Sequence, residues 1–204
     1  MRICLAEIAR SRQIRPRPNF FILLGNRYGW RPLPNIIPAD EVIQIRQKAS
    51  PQESTLLDEW YRQDLNAIPP QYVLLPRLGD TVSLDKWEAV EGELARILRQ
   101  AVNQIKIPPE RFKRYTASAT EQEIQAGVMQ AADAHEHVFC YLREINGLSS
   151  SAEGAAYCNT KPEDDALLSA LKDDLRARLG SQVMVLGTVN GLVSAQNGVI
   201  IPVQ

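Results

Sequence analysis

The stretch from Asn19 to Trp30 reads NFFILLGNRYGW, which is the pattern of a buried strand feeding a loop. Phe20, Phe21, Ile22, Leu23 and Leu24 form an unbroken apolar run, Gly25 and a polar pair follow, and the segment closes on Tyr28, Gly29 and Trp30. The run has no polar alternation, so both faces of the strand are expected to be covered, as in a parallel sheet flanked by helices. In such sheets the working loops follow the carboxyl ends of the strands. Gly25 to Trp30 is therefore the first place to look for function.

Outward from this stretch, Gln71 to Leu75 (QYVLL, closed by Pro76) and His137 to Leu142 (HVFCYL) read as further buried strands, with Val183 to Leu186 as a candidate fourth. Helical patterns lie between them. Ile3, Leu5 and Ile8 give residues 2 to 12 an apolar stripe, and Pro16 and Pro18 end that helix. A helix from Ala39 or Asp40 to about Lys48 carries Val42, Ile43 and Ile45 as its apolar positions. Ser50-Pro51-Gln52-Glu53 is a helix start signal for a segment running to about Gln63, with Leu56, Leu57, Trp60 and Tyr61 on one side. Trp87, Val90, Leu94, Ile97, Leu98, Ala101 and Ile105 mark a long amphipathic helix from Leu84 to Ile105, and Arg111 to Tyr115 forms a basic-aromatic link beyond it. Thr120 to Glu123 reads as a capping box opening a helix to about Ala134, and Asp164 to Leu179 is a further helix stopped at Gly180.

Strands alternating with helices imply an α/β fold, three-layer, with a mainly parallel sheet flanked by helices. The expected organisation is one α/β domain over residues 1 to 145, a loop and C-terminal helix of the same domain over 146 to 180, and a tail over 181 to 204. The tail is either a hairpin (Val189 to Val193 with Val199 to Val203) or disordered.

Composition narrows the function classes. The 204 residues carry 24 acidic and 23 basic side chains, so no field of one sign is available to concentrate nucleic acid or anionic lipid. Cys4, Cys140 and Cys158 are widely spaced and form no metal or disulfide pattern, which fits a reducing cytoplasmic compartment. No apolar run approaches the roughly 20 residues needed to cross a bilayer.

The wording of several segments goes further. ICLAEIARSR, PNFFILLGNRYGWRPLP, PADE, WYRQDLNAIPPQYVLLPR, SATEQEI and HVFCYLREI occur in that order. Together they resemble the TIR-like domain found ahead of NACHT-type ATPase modules and WD-repeat or tetratricopeptide arrays in large signalling (STAND-type) proteins. The resemblance covers about residues 3 to 145 and implies a flavodoxin-like or TIR-like sheet. It also implies a segment ahead of this sequence's opening helix, with a first strand, a helix and a second strand. Without a central first strand, the strand at 20 to 24 would expose ladder groups and apolar side chains. A late start codon, a gene fragment, a rearranged strand order or an edge completed by another chain would each account for that.

The resemblance also points to candidate residues. Comparison with TIR domains makes Glu41 the candidate catalytic carboxylate for cleavage of the nicotinamide-ribose bond of NAD, as substrate rather than cofactor, because a carboxylate there can stabilise an oxocarbenium-like centre. A glutamate in a first helical turn is also favoured by the helix dipole alone. Gly25, Asn26, Arg27, Tyr28 and Gly29 could cradle a phosphate on backbone amides, although they lack the spacing of a phosphate-binding glycine loop. Trp30 could stack on a nucleobase, but a core plug beneath the loop is the favoured reading. His135 and His137 would share one side of a strand without a third ligand, so no metal is expected. The implied function is a signalling and protein-interaction module that binds itself or a NACHT-type ATPase. An NAD-cleaving enzyme and a fragment without independent function are the alternatives.

Overall fold

Parallel strands cannot be joined by a tight turn, so each parallel pairing needs a crossover that returns the chain to the same end of the sheet. The computed structural model describes residues 2–11, 13–14, 17–77, 84–146 and 152–190. In chain order its elements are α1 (Arg2–Ser11), β1 (Phe20–Leu24), β2 (Ile36–Pro38), α2 (Ala39–Arg46), α3 (Pro51–Trp60), β3 (Tyr61–Asp64), β4 (Gln71–Leu74), α4 (Leu84–Val102) and α5 (Pro109–Thr116). There follow α6 (Ala119–Ile124), a π-helical turn (Gln125–Met129), α7 (Ala134–His137), β5 (Val138–Asn146), α8 (Ala152–Ala155), α9 (Pro162–Leu179) and β6 (Val183–Asn190). The chain divides into two compact units, the first made of residues 1–30 and 118–204, the second of residues 31–117.

The first unit contains a three-stranded parallel sheet in the order β1, β5, β6, flanked by helices. Phe20 to Leu24 pair in step with Val138 to Leu142, and Cys140 to Arg143 with Val183 to Leu186 before an irregularity at Arg143 and Glu144. Strands adjacent in space are successive strands of this sheet along the chain, consistent with one side of a flavodoxin-like arrangement. One face is built by Ile22, Leu24, Val138, Cys140 and Leu142, which pack against Ile124 and Val128 of the α6 region and Leu168, Leu171, Leu175 and Leu179 of α9. Those four leucines recur at helical spacing and form a single apolar stripe. Pro162 at the first helical position, three acidic residues in the first turn and Gly180 at φ 55° set the limits of α9. In the π-helical turn, a Cβ on Gly127 would lie only 2.6 Å from Cε1 of Phe20, so the glycine is what lets this turn approach the start of β1.

Cys140 lies at the centre of this core, where burial pushes its thiol up to about 11. Cys4 is exposed. A thiol reagent applied to the native protein is therefore expected to modify Cys4 promptly and Cys140 only after denaturation, as read by mass spectrometry of labelled peptides. Equal labelling of both in the native state would contradict a buried β5.

The second unit is built on an antiparallel sheet in the order β2, β4, β3. Its core gathers Leu33, Ile37, Val42, Ile45, Leu57, Tyr61, Leu94, Ile97 and Leu98. Trp60 meets Trp87 edge to face at 4.9 Å, which joins α3 to α4. Ser50 and Glu53 close the expected capping box at the start of α3.

Several sequence expectations are corrected here. Gln71 to Leu74 does not join the parallel sheet but forms the middle of the antiparallel one, and β6 takes the third parallel place. The helix expected to reach Gln63 stops at Trp60, and Tyr61–Asp64 is a strand whose Tyr61 hydroxyl donates to the Pro34 carbonyl at 2.9 Å. Arg111 to Tyr115 is part of helix α5 rather than a link. The N-cap of α6 is Ser118, not Thr120; its Oγ accepts from the Glu121 amide at 3.1 Å. His135 and His137 lie on the short helix α7, where His137 is buried between Asp133 and Asn19 and His135 is exposed. The hairpin considered for the tail falls mostly on residues 191–204, outside the described residues.

Candidate functional site

The most unusual surface is at β1. Among the described residues it pairs on one side alone, with β5, and so forms an edge of the parallel sheet. The expectation that both its faces are covered is corrected: Ile22 and Leu24 are buried, while Phe21 is 58% and Leu23 77% exposed. Alternate side chains of a strand point to opposite faces, so an apolar strand with helices over one face leaves its other set in water. Phe21 stands beside Phe139, with ring centroids 6.1 Å apart. The register also aligns Leu23 with Tyr141, and Tyr141 with the exposed Met184. An apolar row therefore crosses all three strands. At its upper end a groove of about 300 Å³ is lined by Leu23, Gly25, Tyr141 and Arg143.

The loop after β1 is pinned by its own side chains. Asn26 donates to the Ile145 carbonyl at 3.0 Å and accepts from the Ile145 amide at 3.4 Å, tying the loop to the end of β5. Arg27 donates to the Ala156 carbonyl at 3.1 Å, and the Tyr28 amide donates to Asn159 Oδ1 at 2.8 Å. That amide is thereby occupied and is not available to a phosphate cradle. The Tyr28 hydroxyl donates to Glu121 Oε2 and accepts from the Ser118 amide at 3.2 Å. The plug beneath the loop is thus Tyr28; Trp30, expected in that role, is 62% exposed. Gly29 at φ 95° permits the reversal between the two aromatics.

Glu41 lies in the second unit, in the first turn of α2, with no exposed surface. Tyr115 donates its hydroxyl to Oε2, Arg111 Nε forms an ion pair with Oε1 outside hydrogen-bond alignment, and Arg114 Nη1 lies 3.4 Å from Oε2. Burial works against the Arg111 charge, but Glu41 and Asp40 outweigh it and the Arg111 pKa is raised. The Tyr115 pKa is raised too, first by burial and then by the Glu41 carboxylate, which keeps its hydroxyl a donor. Each oxygen of Glu41 is met by a neighbouring side chain, an arrangement that joins α2 to α5.

Strand β1 with the loop after it, α6 and β5 carry three of the segments that resemble NACHT-associated sequences, PNFFILLGNRYGWRPLP in part, SATEQEI and HVFCYLREI lying in the first unit. The chain is similar to a stretch of two NACHT and WD repeat proteins. It is 29% identical over 153 residues to NACHT domain- and WD repeat-containing protein 1 of Homo sapiens and 30% identical over the same length to that of Mus musculus, covering 72% of this chain and 10% of each relative. With NACHT and WD repeat domain-containing protein 2 of Mus musculus it is 30% identical over 148 residues, 63% of this chain and 8% of the relative. The matched region thus spans about a tenth of the length of these relatives. No family model matches the chain, and no solved structure matches it significantly. The NACHT-associated part of the resemblance is supported by these relatives. Among the described residues no helix is long and apolar enough to cross a membrane.

Phe21 and Leu23 are not among the site residues singled out from the sequence, because their run looks uniformly buried; what points toward them is the expectation that a sheet without a central first strand exposes apolar side chains at 20 to 24.

Proposed function

We propose that this chain is a TIR-like signalling and interaction module of a NACHT-type system, and that it acts by associating with a second copy through β1. The observation that carries this reading is the exposed pair Phe21 and Leu23 on an edge strand with no charged residue of its own. Unpaired strand edges that stay monomeric are usually blunted by charges, prolines or bulges. Within FFILL there is none. Two β1 edges brought together antiparallel about a two-fold axis would continue the sheet from one copy into the other and set Phe21 and Leu23 of each copy beside those of the other across the seam, an arrangement in which each copy presents the same patch. The likeness to NACHT and WD repeat proteins supports an interaction or signalling context.

Light scattering across a concentration series, alone and with a neighbouring NACHT-type ATPase module, tests this. Association of the chain with itself is expected, and Phe21→Asp with Leu23→Asp is expected to weaken it by at least about tenfold, since like charges from the two copies would then meet as cross-strand neighbours at the seam. A monomer throughout the series, or association indifferent to both substitutions, would overturn the reading. The NAD-cleaving alternative through Glu41 gains no support from the site, because both carboxylate oxygens are enclosed. Nicotinamide release no higher for the wild type than for Glu41→Gln would dispose of it.

A further inference from the structure

A cleft of about 340 Å³ opens at the carboxyl end of the parallel sheet, bounded by the ends of β1 and β5 and by one side of α9. Asp165, Ser169, Lys172 and Arg176 follow one another at helical spacing and give α9 a polar stripe along the cleft, beside the leucine stripe that enters the core. Asn26 and Glu144 face them from the strand ends. Ligands of open parallel sheets bind in this position, outside the carboxyl ends of the strands.

Most of these groups are already held in place. Asn26 is fixed to the Ile145 backbone, as described above. Asp165 accepts from Asn159 at 2.9 Å, and Arg176 lies 3.2 Å from Glu144 and 2.9 Å from Asp173. Lys172 is the exception. It is half-buried, and among the described residues its ammonium has no hydrogen bond or ion pair. Burial, opposed by Glu144 and reinforced by Arg176, holds it below the ordinary lysine range. Glu144 is already engaged by Arg176, so the partly desolvated Lys172 ammonium still lacks a hydrogen-bonded anion of its own. Ser169 adds a hydroxyl donor one turn away, and three donors of this kind suit a tetrahedral oxyanion. The two carboxylates would repel a bare anion and call for hydroxyl donors on the rest of the ligand.

We propose that this cleft binds a small phosphomonoester bearing sugar hydroxyls, with its phosphate on Lys172, Arg176 and Ser169 and its hydroxyls donating to Asp165 and Glu144. Ribose 5-phosphate, inorganic phosphate and ribose are the probes, titrated into the whole chain by calorimetry up to about 10 mM. Ribose 5-phosphate binds, phosphate binds at least about tenfold more weakly, and ribose alone gives no heat. Ser169→Asp, at an exposed position, and Lys172→Met each weaken ribose 5-phosphate by about tenfold or more without lowering the melting temperature. Asp165→Asn weakens ribose 5-phosphate and, by removing a repelling charge, leaves phosphate bound as well as before or better. Absence of binding by both phosphates, equal binding of the two, or affinity untouched by Ser169→Asp and Lys172→Met would each overturn the proposal.

Discussion

Arg111→Met is expected to cost about 3 kcal/mol of unfolding free energy, more than Glu41→Gln, whose cost is about 1 to 2 kcal/mol. The asymmetry follows from depth. The Glu41 side chain has no exposure, whereas those of Arg111 and Arg114 are about a third exposed at 32% and 34%. Removing Arg111 leaves a buried carboxylate with one oxygen deprived of its cation, and Arg114, 3.4 Å from the other oxygen, replaces only part of that attraction. Removing the charge on Glu41 instead leaves two guanidiniums that water can reach, while a glutamine can still accept from Tyr115. Because the residues act as one cluster, the double variant should cost clearly less than the sum of the singles. Urea unfolding of the four proteins provides the comparison. Equal costs, or strict additivity, would mean that the cluster does not anchor α2 to α5.

Gly127→Val should cost a similar amount, about 3 kcal/mol, at the high end for overpacking. The added Cβ alone would lie 2.6 Å from Cε1 and 2.9 Å from Cζ of the Phe20 ring, and two further methyl groups follow it. Phe20 packs against the core beside Ile22 and Leu24, so its ring cannot swing aside without giving up that contact. The prediction carries its own control. Placed on a Phe20→Ala background, Gly127→Val should recover part of its cost, because the space vacated by the ring accepts the methyls. A thermal melt showing Gly127→Val as stable as the parent would mean that the π-helical turn does not press on β1 as described.

What the sequence made legible was local. The strands at Phe20 and Val138, the Ser50 capping box and the helix ending at Leu179 all announce themselves through local pattern, and these elements are found where expected. Pairing was less legible, because a run such as QYVL has the same appearance whether its neighbours run with it or against it. Tyr61–Asp64 follows α3 with no glycine or proline between, so no break marked the change from helix to strand. Two overlapping patterns, Ser118 with Glu121 and Thr120 with Glu123, compete to cap α6, and the contact of Tyr28 with Ser118 and Glu121 goes with the first. That contact also decides which aromatic of the loop is buried, from nearly a hundred residues away in the chain. The largest departure is topological. The helix expected to follow β1 in the sheet is α2, bearing Glu41, yet α2 belongs to the second unit, and the helical segment packed under β1 and β5 is the α6 region, bearing Glu121. Residues 31–117 form a unit of their own between β1 and the α6 region, so the next helix along the chain is not the next helix on the sheet.

That interruption has a consequence for the order in which the protein can take shape on the ribosome. Residues 31–117 hold all the partners of their own sheet and emerge together, so they can settle as soon as the nascent chain has passed Ala117. Phe20 to Leu24 leave the exit tunnel before any of this, but their partners Val138 to Leu142 are synthesised only afterwards. This apolar run must therefore wait until the chain between the two strands has been made, and during that interval it is open to a chaperone's cover.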